Sequence, residues 1–225
     1  MTTTENKLDL RAIVVLLYAP VALTVFRYFG WPDTCRNLAP TASGPFPQFY
    51  YFFCSLLLLG IVPILISRFA FGQRLSEIGL GIGDIKFGAK LIAIGIPLMI
   101  ILGYMSAQSP SFRDEYPLYR NLLTDKSGLW VYILAYGAYY VGWESFFRGF
   151  MLFGLRKSLG DTVSILIQTI PSCLMHIGKP APEIFGSIAA GLVFGWIALR
   201  CRSIWPVFLI HWGLGVSLDL FIIFG

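Results

Sequence analysis

Long apolar runs alternate along the chain with short stretches that carry most of its charge. Seven runs can be drawn, at roughly 10–29, 49–70, 88–107, 127–156, 160–178, 184–200 and 204–224. A helix needs roughly 20 apolar residues to cross a hydrocarbon core. Backbone polar groups facing lipid must bond within their own segment, so each run predicts a helix. The fourth run is long enough to tilt or to extend past the bilayer. An eighth short or re-entrant helix can also be drawn. The expected fold is all-α: a polytopic transmembrane helix bundle of about seven spans, with residues 1–225 forming one integral membrane domain.

The links add detail. Residues 71–87 mix charge with regularly spaced apolar positions and are expected at the inner interface, as a flexible connector. Their Gly79-x-Gly81-x-Gly83 has no preceding strand and no β-α-β unit around it, which excludes a nucleotide loop. Met1–Leu8 is polar, and no small-residue cleavage site follows a short apolar core. The first span is therefore expected to stay in the membrane.

Composition agrees with the pattern. Apolar residues make up 56% and charged residues 13%, against roughly 25% charged in soluble domains. The formal charge of +5 is not gathered in a basic cluster interleaved with aromatics, so no nucleic acid partner is expected. Ten Lys and Arg residues, among them Lys7, Arg68, Arg156 and Arg202, fall on the side of the N-terminus, and six, among them Arg27 and Lys179, fall opposite. That asymmetry predicts an N-terminus inside, in the cell membrane. Cys35, Cys54, Cys173 and Cys201 are scattered without a C-x-x-C, so neither a disulfide framework nor a cysteine metal site is expected.

The informative residues are the charged ones that the apolar runs retain. Glu144 lies in Tyr139-Tyr140-Val141-Gly142-Trp143-Glu144-Ser145-Phe146-Phe147-Arg148. An ionisable residue at membrane depth costs roughly 2.5–3.5 kcal/mol on insertion scales. Arg148 is one helical turn on, within ion-pair reach. The pair reads either as a packing device or as a general base with its orienting cation. The two histidines follow: His176 ends the fifth run and His211 sits inside the last. His176 also fits an interfacial anchor, whereas a buried His211 needs polar partners. Asp219, two turns beyond His211, is expected to face the same interior or a neighbouring helix. Glu144, His176 and His211 together make a set chemically suited to catalytic zinc with an open position, although no H-E-x-x-H is present. The leading expectation is a metal-free reaction without cofactor.

Glu-x-x-x-Arg, then His, then a last-span His, on three helices, resembles the CPBP (ABI) family of intramembrane proteases, which includes the CAAX prenyl endopeptidases. Its pattern is Glu-Glu-x-x-x-Arg, Phe-x-x-x-His and His-x-x-x-Asn or Asp. The resemblance spans about 143–219 and includes Arg148-Gly149-Phe150, His176-x-Gly178-Lys179-Pro180 and Ser203-Ile204-Trp205-Pro206. It implies an intramembrane endopeptidase that hydrolyses a membrane-associated or lipid-modified peptide. Glu144 would be the base, Arg148 its orienter, His176 the second water-activating residue and His211 an oxyanion contact. Three positions depart from the pattern: Trp143 replaces the first glutamate, Ser172 an aromatic residue, and Gly215 the Asn or Asp of the last motif. Two rival classes are a protease-like scaffold that binds a peptide or partner protein without cutting it, and a proton-relaying transporter. The transporter lacks paired discontinuous spans to support it.

Convergence has a geometric obstacle. At 1.5 Å per residue above the nearest inner charges, Glu144 stands at about 18 Å, His211 at about 13 Å and His176 at about 28 Å. Straight helices leave His176 too high; a kink at Pro171, or a fifth helix that starts lower than this count places it, would remove the difference.

Overall fold

The structure is a computed structural model that describes residues 9–41 and 43–225. Met1–Leu8, on which the leader reading and the placing of Lys7 rested, lies outside the described residues. The regular elements among the described residues are helices. Besides two 3-10 turns, Leu75–Ile78 and Arg120–Leu123, they are α1 (Leu10–Phe29), α2 (Pro32–Leu38), α3 (Phe46–Ala70), α4 (Ile85–Ala107), α5 (Pro110–Glu115), α6 (Leu129–Glu144), α7 (Gly154–Leu174), α8 (Ala181–Cys201) and α9 (Trp205–Phe224). Ser145–Phe153 joins α6 to α7 as a wider, π-wound helix. Five helices are long and apolar enough to cross a membrane: α1, α3, α4, α8 and α9. The protein is an integral membrane protein with an all-helical bundle fold.

Small residues set the distances between helices. Lipid supplies no hydrophobic drive between spans, so close backbone packing has to hold them. A Cβ on Gly142 would stand 2.5 Å from the Ser55 carbonyl oxygen, and one on Gly60 would stand 3.3 Å from the Gly142 Cα. The bare backbones of α3 and α6 therefore touch, and Ser55 Oγ donates to the Tyr139 carbonyl at 3.1 Å across the same contact. This fixes α6 two residues before Glu144. On the opposite side α4 lies along α9, and a Cβ on Gly95 would meet Ile210 at 2.7 Å. That contact anchors α9 at the residue before His211. α1 begins with Asp9 accepting from the Ala12 amide at 2.8 Å, and Tyr18 reaches across to donate to the Leu58 carbonyl at 2.9 Å.

The fourth and fifth apolar runs form a hairpin whose apex is Gly160. Its φ of 77° and ψ of 169° break the helix there, in a region that essentially only glycine occupies. Arg156 closes the bend with two bonds to the Asp161 carboxylate, at 2.9 and 3.1 Å. This corrects the expected heights. Glu144 and His176 each stand 16 residues from Gly160, on opposite arms, so a hairpin folded at that glycine brings them level. Pro171 sits inside α7 without a break in its dihedrals and is not the device.

The 71–87 link is also corrected. It is docked to the chain around α8 and α9 rather than flexible. Ile204 N–H donates to the Gly79 carbonyl at 2.8 Å and Asp84 N–H to the Cys201 carbonyl at 2.8 Å. Ser203 Oγ donates to the Gly81 carbonyl at 2.7 Å and the Trp205 indole to that of Leu80 at 3.0 Å. The glycines permit the close approach: a Cβ on Gly83 would lie 2.1 Å from the Cys201 carbonyl oxygen. All four cysteines are free thiols.

Candidate active site

Every side chain of the wide helix Ser145–Phe153 is buried. A helix apolar all round belongs inside the bundle, and here it carries Arg148 into the core. Glu144 and Arg148 are 0% and 1% exposed. Arg148 Nε lies 3.3 Å from Glu144 Oε2, and Nη1 donates to Oε1 at 3.4 Å. Phe147 and Phe194 approach the guanidinium with ring centroids at 5.9 and 5.5 Å. Water is thus kept from an ion pair whose long side chains stand one turn apart.

His211 completes this group. Its Nδ1 is 2.7 Å from Glu144 Oε1. A carboxylate only accepts, so Nδ1 carries the proton and Nε2 is left as the acceptor. Phe194 and Tyr140 hold the ring from two sides, at centroid distances of 5.4 and 4.7 Å. His176 is oriented by a different partner. Its Nδ1 lies 2.7 Å from the Ser172 carbonyl oxygen, which by the same reasoning also leaves Nε2 as an acceptor. The Trp143 ring stands edge-on to it at 5.4 Å. The backbone of Ser172 serves here, so the loss of an aromatic side chain at that position leaves the contact intact.

Both histidines line one chamber of about 40 Å³, together with Tyr136, Tyr140, Trp143 and Lys179. That volume admits roughly three waters. Trp31, Tyr51, Leu118, Met175 and Lys179 also line a wider vestibule of about 350 Å³, whose rim carries Arg27, Arg36, Asp33 and Glu115. At the mouth Lys179 pairs with Glu115, and Tyr116 donates to Glu183 at 2.8 Å. On the far side Glu144, Phe146, Phe147 and Arg148 are all buried to 0–1% exposure. The chamber is closed there.

Arg148 and His211 meet at Glu144, and His176 shares the chamber with His211 without touching that group. Glu144 touches Arg148 and His211 and stands behind the chamber wall, while His176 and His211 are on the wall. Glu144, His176 and His211 do not form a three-ligand metal group among the described residues; the Glu144 carboxylate is turned to the guanidinium and to Nδ1 of His211. Asp219 belongs elsewhere. It accepts from the Tyr132 hydroxyl at 2.8 Å.

Sequence reasoning missed the tyrosines. Tyr132, Tyr136, Tyr140, Glu144 and Arg148 recur every four residues along one face, and His211, Gly215 and Asp219 do the same on α9. The two rows face each other: His211 against Glu144 and Tyr140, Gly215 against Tyr140 and Tyr136, Asp219 against Tyr132. The spacing was visible, but aromatic residues at helical period read as core.

Comparison with known families adds one match and two blanks. The family model described as type II CAAX prenyl endopeptidase Rce1-like matches residues 122–216. No curated protein and no solved structure matches the chain. The matched stretch holds the buried Glu144–Arg148–His211 group and His176, and over it the chain is similar to the type II CAAX prenyl endopeptidases.

Proposed function

We propose that the protein is an intramembrane endopeptidase that hydrolyses a peptide bond in a membrane-associated or lipid-modified peptide, using a water activated by Glu144 through His211. The observation that carries this reading is the 2.7 Å contact between Glu144 and His211 Nδ1, with both imidazoles on one water-sized chamber. A carboxylate behind an imidazole fixes its tautomer and stabilises the imidazolium that forms when Nε2 takes a proton.

The steps balance without a metal or cofactor. Water in the chamber gives a proton to His211 Nε2 as its oxygen bonds to the scissile carbonyl carbon. The carbonyl π pair moves onto oxygen. The tetrahedral species then collapses, the C–N bond breaks, and the imidazolium returns its proton to the leaving amine. His176 Nε2 accepts from the same water and holds it in line, which makes it the second water-activating residue. Arg148 holds the Glu144 carboxylate in place through its Nε and Nη1. His211 also borders the space where oxyanion charge develops. The closed far side favours a hydrolase over a transporter, which needs access from both sides in turn. The vestibule is the route by which an extended peptide reaches the chamber, and we place the N-terminus inside, in the cell membrane, from the loop charges.

The test is cleavage of a panel of fluorogenic prenylated and membrane-tethered peptides by purified protein, with Glu144→Gln and His211→Ala alongside and a zinc chelator added or omitted. The reading expects cleavage that both substitutions abolish and the chelator leaves unchanged. Loss with chelator would assign the water to zinc. Binding of the panel without cleavage would support the scaffold reading instead.

A further inference from the structure

The proposed hydrolysis, on which this inference rests, needs a donor aimed at the oxygen that becomes negative. Neither imidazole supplies one in its resting state, because each spends its Nδ1 proton on Glu144 or on the Ser172 carbonyl. Gly215, on α9 one turn beyond His211, has no side chain to contribute. The space beside it is not empty. A Cβ built on Gly215 would stand 2.3 Å from the Tyr140 hydroxyl oxygen and 3.0 Å from its ring carbon, with a Tyr136 ring carbon at 3.1 Å. A residue larger than glycine at this place would collide with the tyrosine pair.

The two hydroxyls lie 3.2 Å apart and bond to each other, Tyr140 donating to Tyr136. Two hydroxyls carry two protons, and one shared hydrogen bond uses only one of them. Either order of donation leaves one O–H without an acceptor among the described residues. Both rings line the chamber, and Tyr140 lies against the His211 ring at 4.7 Å. With Tyr140 donating, the free proton is that of Tyr136, whose ring lines the same chamber as His211. The Trp143 indole N–H is a second unspent donor: it is buried, has no partner among the described residues, and its ring lines the same chamber.

We infer that the Tyr136–Tyr140 hydroxyl pair is a catalytic donor, giving its unshared proton as a hydrogen bond to the scissile carbonyl oxygen as that oxygen becomes an oxyanion, in the place that Gly215 leaves open. The pair suits the task. The donated bond strengthens as charge builds on the acceptor, and the Tyr140-to-Tyr136 bond lets one hydroxyl polarise the other. Donors of this kind act on the transition state more than on the bound ground state.

The experiment compares wild type, Tyr140→Phe, Tyr136→Phe and the double substitution on a peptide that the wild type cleaves, reading kcat and KM separately. Each substitution keeps the ring and its packing and removes only a hydroxyl. Loss of one donor is expected to lower kcat by about 100- to 1,000-fold with KM changed by less than about threefold. The double substitution should be little worse than the more damaging single one, because the two act as one unit. A packing role would instead lower the melting temperature and leave kcat per folded molecule unchanged. Wild-type kcat in the double substitution, from an enzyme that the Glu144→Gln change inactivates, overturns the tyrosine assignment and leaves the protease reading standing. Absence of cleavage by the wild type overturns both.

Discussion

Glu144→Gln separates the chemistry of the buried group from its role in folding. Glutamine keeps the shape and an oxygen to accept from His211 Nδ1, now 2.7 Å from Oε1. What it removes is one negative charge. In the transition state His211 is an imidazolium whose charge centre lies about 4 Å from the carboxylate. At an effective dielectric of about 20 that attraction is worth about 4 kcal/mol, which corresponds to about a thousandfold in rate. The same substitution strands Arg148, 1% exposed and with Glu144 as its ion-pair partner. Removing one partner of a buried pair costs about 3–5 kcal/mol. Glu144→Gln should therefore be both slow and unstable. Adding Arg148→Met removes the stranded cation and fills similar volume, so the double variant should regain most of the lost stability. Its turnover should stay at least about 100-fold below wild type, because the charge behind His211 is still missing. Thermal unfolding in detergent and steady-state cleavage read the two quantities independently. A double variant that regains wild-type turnover would refute the carboxylate–imidazole argument, and a single variant of full stability would refute the ion-pair argument.

Three further outcomes follow from the architecture. Gly142→Ala should destabilise by about 1–3 kcal/mol, since its Cβ would stand 2.5 Å from the Ser55 carbonyl oxygen; thermal unfolding measures it, and an unchanged midpoint would disprove the backbone contact. Gly160→Ala meets no atoms within 4 Å, so its cost is purely conformational, about 1–3 kcal/mol, and kcat should fall with it as the two arms lose their level; an alanine variant of full stability would refute the bend. Asp9 is held below its ordinary 3.8 by the Ala12 amide, an effect partly offset by desolvation. That capping contribution is complete above the ordinary value and is lost as pH falls through the lowered one. Asp9→Ala should cost about 1 kcal/mol at neutral pH, and the gap to wild type should begin to narrow only below about pH 4. A gap that stays constant down to pH 2.5 would show that the charge plays no part.

Much of this molecule could be read from its residues, and the parts that could not have physical reasons. The apolar runs declared the helices because lipid admits little else. Glu144, Arg148, His176 and His211 stood out because charge and imidazole are expensive in that setting. Their levels were misjudged because the estimate counted from charges rather than from the bend, and Gly160 gives no signal in sequence that distinguishes it from the other glycines. The Gly79–Gly83 link was read as loose for a related reason. Glycine marks flexible chain and tightly approached backbone alike, and only the partner tells them apart. The tyrosines hid because a phenol with a task and a phenol in a core have the same letter and period.

The facing rows on α6 and α9 also set how the sequence can vary. Each residue turns a helix by about 100°. A single insertion or deletion between Tyr132 and Glu144 would therefore swing every rung on one side of it away from its counterpart on α9. The tyrosine pair would lose Gly215, or the carboxylate would lose His211, however well each side chain had been preserved. Substitutions test the rungs one at a time, whereas a change in length tests them all at once. Among functional relatives these two stretches should hold a fixed residue count even where the loops around them lengthen, and Tyr132 to Glu144 and His211 to Asp219 serve as rulers against which such chains can be aligned.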